Sequence, residues 1–196
     1  MSIIYKTCPQ DGIIPDYMCD PCGATEKGRV RGVAYIHKSL KSTITKQNVE
    51  SLSWWENGIE SGMIKIIPST RGTFDGGAKV TVTGFGDEHE LVTGKTFTVV
   101  FNDRNHTENE EFYEILENNF KNYILAFRTE SELRIGTDAL NSMEAKDNVE
   151  EDDASIVLWQ ATATWNQNKP KLIVPIYQLT DDVKDLFANC VDEISQ

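Results

Sequence analysis

The chain has 196 residues, 39% of them hydrophobic and 26% charged, with a formal net charge of −12. These are values of a globular chain long enough for one domain with a real core, which excludes wholesale disorder. The acidity excludes a protein that holds nucleic acid or anionic membrane through its overall charge, and no apolar run approaches the ~20 residues of a membrane span.

The charge is unevenly spread. Residues 1–75 carry nine Lys/Arg and eight Asp/Glu, whereas residues 76–196 carry ten and twenty-three. The acidic residues gather in the segment from Thr107, the run Asp147 to Asp153, and the segment from Asp181. Two readings are open for this field: a solvated acidic face, or a surface that meets DNA without holding it. The start, Met1-Ser-Ile-Ile-Tyr-Lys-Thr-Cys, lacks an apolar signal-peptide stretch with a small-residue cleavage site, so use in a cytoplasm, or assembly there into something larger, is expected.

In chain order, residues 1–28 are interrupted by Pro9, Gly12, Pro15, Pro21 and Gly23 and read as an extended, cysteine-containing arm or a small stapled lobe. Arg29 to His37 has the β-branched and aromatic content of a strand. Val49, Leu52, Trp55, Ile59 and Met63 form one stripe, predicting a helix over 47–61 with Gly62 as its C-terminal cap. Met63 to Pro68 reads as a short strand, and Ser69 to Gly77 as a polar glycine-rich loop. Val80 and Val82 alternate with threonines in a further strand.

The segment Gly94 to Gly136 is the most informative. It reads as a strand over Thr96 to Phe101, a helix over Thr107 to Asn122 and a strand over Tyr123 to Ile135. Phe97, Val99 and Phe101 share one strand face, the period of a half-buried strand. Thr107-x-x-Glu110 is a capping-box pattern, Phe112, Ile115, Leu116 and Phe120 form the helix stripe, and five glutamates sit early, where the macrodipole favours anions. Residues 136–154 read as an acidic loop. Ser155 to Trp165 is a clean alternating strand with Val157, Trp159, Ala161, Ala163 and Trp165 on one face. Leu172 to Tyr177 is a last strand that Pro175 confines to an edge or bulge. Thr180 caps a final helix with the stripe Val183, Phe187, Cys190, Val191 and Ile194.

Chemical motifs are sparse. Cys19-Asp-Pro-Cys22-Gly23 has zinc-knuckle spacing, Cys8 could supply a third thiolate, and His37 or Cys190 a fourth ligand. Reduced structural cysteines are the plainer reading, and a structural zinc at Cys8, Cys19 and Cys22 the sharper one. The loop Arg71 to Gly77 lacks the Gly-Lys-Ser/Thr ending and the G-x-G-x-x-G of phosphate cradles. His89 and His106 stand in polar loops with no serine or cysteine placed beside them, so no catalytic residue is assigned and an enzyme is not expected. Trp55 is expected in the core, and Trp54 against another subunit.

The whole string resembles tail-tube and ring-type structural proteins of double-stranded DNA phages, particularly those infecting Bacteroidetes hosts, including crAss-like phages. The closest stretches are Gly58 to Gly76 (GIESGMIKIIPSTRGTFDG) and Thr93 to Asp103 (TGKTFTVVFND). The likeness runs over roughly residues 27–178. It implies a mainly β, tail-tube-like barrel or sandwich carrying a packed helix, assembled from identical subunits into a ring around an axial DNA channel, within a virion tail or head–tail junction and against adjacent tail or portal proteins. It leaves open a repeating tube or a single ring. The expected organisation is an arm over 1–28, a β domain over 29–178 and a C-terminal helix over 179–196. An acidic lumen would let DNA slide, and Glu150, Glu151, Asp152 and Asp153 are the expected lining. The reading from a different class is a small zinc-stapled binding or regulatory protein.

Overall fold

A computed structural model describes residues 29–83, 90–103, 108–148, 158–167 and 172–188. Among these residues the elements run β1 Gly32–His37, α1 Lys46–Glu50, α2 Leu52–Glu60, β2 Ile64–Ile67, β3 Arg71–Phe74, β4 Ala78–Thr83 and β5 Glu90–Asp103. They continue with α3 Glu110–Asn119, β6 Tyr123–Arg128, β7 Glu132–Ile135, β8 Leu140–Asn148, β9 Leu158–Gln167, β10 Leu172–Pro175 and α4 Asp181–Leu186. The protein is mainly β with flanking helices.

The strands form two open antiparallel sheets. The first has the order β10-β7-β6-β1-β2, the second β3-β5-β9-β8. The 14-residue β5 organises the second sheet. One of its edges pairs β9 from Lys95↔Gln167 to Asp103↔Trp159. The other edge is shared: β3 takes Val99 to Asn102 and β4 takes Glu90 to Thr96, with a bulge between Val80 and Thr81. An isolated bridge, Val30↔Gly72, links the residues leading into β1 to β3 and so ties the two sheets at one corner.

Strand alternation builds the core. Val33, Tyr35, Leu125 and Phe127 of the first sheet meet Phe97, Val99, Phe101, Ala161, Ala163 and Trp165 of the second in one buried cluster. Its aromatic centre has Phe74 stacked on Phe97 at 5.8 Å and on Trp165 at 6.2 Å between centroids. The opposite residues of β1 and β6, Ala34, Ile36, Ile124 and Ala126, pack with Val49, Trp55, Val183 and Phe187 in a second cluster. The order of layers is therefore second sheet, first sheet, then α1, α2 and α4, with α3 packed against the inter-sheet cluster, and of the two expected architectures it is the sandwich.

Several local expectations change. The 47–61 helix is two helices, because Ser51 is extended (φ −93°, ψ 124°). The Val49 carbonyl accepts the Trp55 indole N–H at 2.9 Å, whereas a continuous helix would use it for the backbone N–H four residues on. Gly62 takes φ +71° and donates its N–H to the Ile59 carbonyl, as a C-terminal glycine should. The loop Ser69–Gly77 contains β3, and the acidic loop 136–154 contains β8. The strand Tyr123–Ile135 is a hairpin. Its turn is closed by Thr129, whose Oγ1 accepts the N–H groups of Ser131 (3.3 Å) and Glu132 (3.1 Å). β10 is an edge strand, as Pro175 requires, and Thr180 caps α4 by accepting the Val183 N–H. The arm 1–28 and the residues of the last helix beyond 188 lie outside the described residues.

Candidate functional site

The most distinctive surface the structure builds is the acidic helix α3, and its placement follows from two residues. Tyr113 is 1% exposed and Asp103 6%. The Tyr113 hydroxyl donates to Asp103 Oδ2 at 2.9 Å, and its ring packs on Trp159 at 5.1 Å between centroids. Asp103 ends β5 and faces Trp159 of β9, so the start of α3 is bound directly to the central strand pair. Asn109 adds an amide N–H to the same carboxylate oxygen at 3.4 Å. Burial, then the Asp103 charge and its hydrogen bond, push the Tyr113 hydroxyl far above the ordinary tyrosine range; burial alone does the same to Tyr35.

Farther along α3, Leu116 is buried and the Glu117 carboxylate accepts the backbone N–H of Ala145 in β8. These anchors turn the rest of the helix outward. Glu108, Glu110, Glu111 and Glu114 are exposed, and Ile115 is 55% exposed beside them. The expected stripe was thus rotated: Tyr113 takes the inward place assigned to Ile115. The helix begins at Glu110 with Asn109 as N-cap and no side-chain cap bond, three residues after the expected Thr107, which lies outside the described residues.

The other sequence candidates divide cleanly. Cys8, Cys19, Cys22 and Cys190, the acidic residues Glu150, Glu151, Asp152 and Asp153, and His89 and His106 all lie outside the described residues. His37 is described and has a local role. Its Nδ1 accepts the Ser39 N–H at 3.3 Å, capping a short 3-10 turn, and its ring stands edge-on to Tyr123 at 5.6 Å. Trp55 is fully buried, as expected. Trp54 is half-buried within its own chain; its indole N–H donates to Thr43 Oγ1 at 3.1 Å, and its ring stands edge-on to Trp55. Among the described residues no three His, Cys, Asp or Glu side chains are grouped to hold a metal ion, and no helix is long and apolar enough to cross a membrane.

No family model and no curated protein matches this chain. Among solved structures, it is similar to a chain of the virion of a native gene transfer agent particle, at 9% identity and a TM-score of 0.33, covering 57% of this chain and 88% of that one. It is similar also to a chain from the tail of the empty gene transfer agent particle, at 10% identity and a TM-score of 0.32, covering 57% and 90%.

Proposed function

We propose that this chain is a non-enzymatic structural subunit of a phage-type virion, forming a ring of the tail or head–tail connector around the DNA channel. The observation that carries the reading is how the two stretches with the family resemblance come together. Gly58 to Gly76 and Thr93 to Asp103 are distant in sequence, yet Arg71 to Phe74 pair with Val99 to Asn102 as neighbouring strands. The first stretch also supplies β2 to the other sheet. Together they make the corner at which both sheets meet, so the resemblance belongs to one physical unit of the fold.

The physics of a ring subunit supports the same reading. Two stacked sheets make a stiff wall, and the open sheet edges and the outward face of α3 leave surfaces for neighbours. On this reading the neighbours are identical subunits and adjacent tail or portal-complex proteins of a phage with a Bacteroidetes, crAss-like host range. DNA passes without specific binding, because an acidic lining repels the duplex over about 8–10 Å at ordinary ionic strength. Glu150, Glu151, Asp152 and Asp153 are the proposed lining.

Electron microscopy of the purified chain, with its mass in solution, tests the proposal. Closed rings are expected, and a protein that stays monomeric or dimeric at every concentration overturns it. In the assembled particle, lysine at positions 150–153 should leave rings intact and slow DNA delivery. Unchanged infectivity would remove these four residues from the channel.

A further inference from the structure

Four arginines from separate parts of the chain converge in this acidic protein. Arg29, Arg31, Arg71 and Arg128 line a cavity of about 440 Å³ at the corner where β1, β3 and β6 approach the end of α4. A second hollow of about 540 Å³ shares Arg29 and Arg71 in its wall. Glu130 is the one acidic residue among the described residues that line the first cavity, and it pairs with Arg31. Arg128 donates from Nη1 to the Lys184 carbonyl at 2.8 Å, while its Nε is buried with no hydrogen-bond partner among the described residues. Thr70 also lines the cavity; it is 2% exposed and its Oγ1 has no partner among the described residues either. Burial and the neighbouring Arg31 work against the charge on Arg128, and Asp185 offsets them only in part. Like-charged guanidiniums beside buried polar atoms without partners are costly unless an anion joins them. An oxyanion fits the chemistry, since guanidiniums bind carboxylates through paired N–H donors and a threonine hydroxyl supplies another.

We propose that this cavity is a docking site for carboxylates of a second copy of the chain, and that those carboxylates are the glutamates on the outer face of α3. The proposal rests on the ring reading and names one of its contacts. Charge complementarity carries the choice of occupant. Glu110, Glu111 and Glu114 are exposed, and their carboxylates make no ion pair or hydrogen bond among the described residues. Ile115 beside them offers an apolar contact. No residue of α3 lines the cavity. Cavity and helix are therefore two different patches of one chain, and joining one to the other is a head-to-tail contact, the kind that closes into a ring when the rotation permits.

Charge exchange tests this on the full chain. Arg29 and Arg71 are exposed, so Arg29→Glu with Arg71→Glu should fold, which a thermal melt checks; Arg29→Gln with Arg71→Gln is the milder pair if it does not. This pair, and separately Glu110→Lys, Glu111→Lys and Glu114→Lys together, should each raise the concentration needed for assembly by about tenfold or more, the scale of a lost charged contact. A chain carrying both sets should regain assembly. Normal rings from the arginine variants, or no recovery in the combined chain, overturn the contact while leaving the ring reading standing. A wild type that never assembles overturns both. Two other occupants have distinct signatures, each of which overturns the proposal: arginine-dependent retention of a 30-base-pair duplex assigns the cavity to DNA, and unchanged assembly of the arginine variants with loss of stability on truncation after Ala188 assigns it to the chain's own C-terminal residues.

Discussion

Replacing Tyr113 with phenylalanine tests how α3 is held. The substitution removes one oxygen and keeps the ring on Trp159, so the packing is spared and only the bond to Asp103 is lost. A hydrogen bond to a charged group contributes about 1.5–3 kcal/mol, and here the acceptor is buried. For a chain of this size each kcal/mol shifts Tm by about 2–4 °C, so a fall of about 3–12 °C is expected in a thermal melt followed by circular dichroism. Alkali provides a second readout with a definite sign. Tyrosine ionises near pH 10 in an unfolded chain, whereas Tyr113 is held neutral well above that in the fold. Its contribution is complete below about pH 10 and is lost as the pH rises, because the unfolded chain gives up a proton that the native protein keeps. The stability gap between wild type and Tyr113→Phe should therefore close above pH 10, by up to about 1.4 kcal/mol per pH unit. A variant with unchanged Tm and an unchanged alkaline profile would mean that ring packing alone places the helix.

Trp55→Ala should cost about 3–5 kcal/mol in urea unfolding, since the side chain is fully buried, meets Phe187 at 5.3 Å and bonds the Val49 carbonyl; Trp54→Ala should cost clearly less. Equal costs would contradict the assignment of Trp55 alone to the core. Gly72→Ala should destabilise by about 1–3 kcal/mol, because a Cβ there meets the Val100 carbonyl and lies 2.8 Å from Phe101 Cβ. Loss of β3 protection in hydrogen exchange would locate the damage, and a neutral effect would show that the β3–β5 approach is not tight.

The sequence was most legible where burial and strand period agree. Phe97, Val99 and Phe101, and Trp159, Ala161, Ala163 and Trp165, lie inward as their alternation requires. β3 was hidden because it is a polar edge strand, half-exposed throughout, and gains its pairing from residues some 28 positions away. β8 was hidden by its surface charges and by a bulge between Leu140 and Ser142 that breaks the period. In α3, a pattern that counts only apolar residues prefers Ile115 to Tyr113; the buried hydroxyl is admitted because Asp103 satisfies it, and that partner lies in another element. The arginine cavity had no local signal at all, since its four guanidiniums come from positions spread over about a hundred residues and meet only through the sheet corner.

The strand order also sets a timetable for the nascent chain. β1 can pair fully only with β6, which emerges roughly 90 residues later, and β5 waits for β9 some 60 residues behind it. At about 5–20 residues per second of synthesis, Ala34 and Ile36 wait roughly 5–20 seconds for their β6 partners, with only β2 to pair with in the meantime. Such long-range pairings also make folding intrinsically slow. Neither sheet is complete until β9 and β10 have left the ribosome, so the nascent chain has no finished sandwich until its last strands emerge.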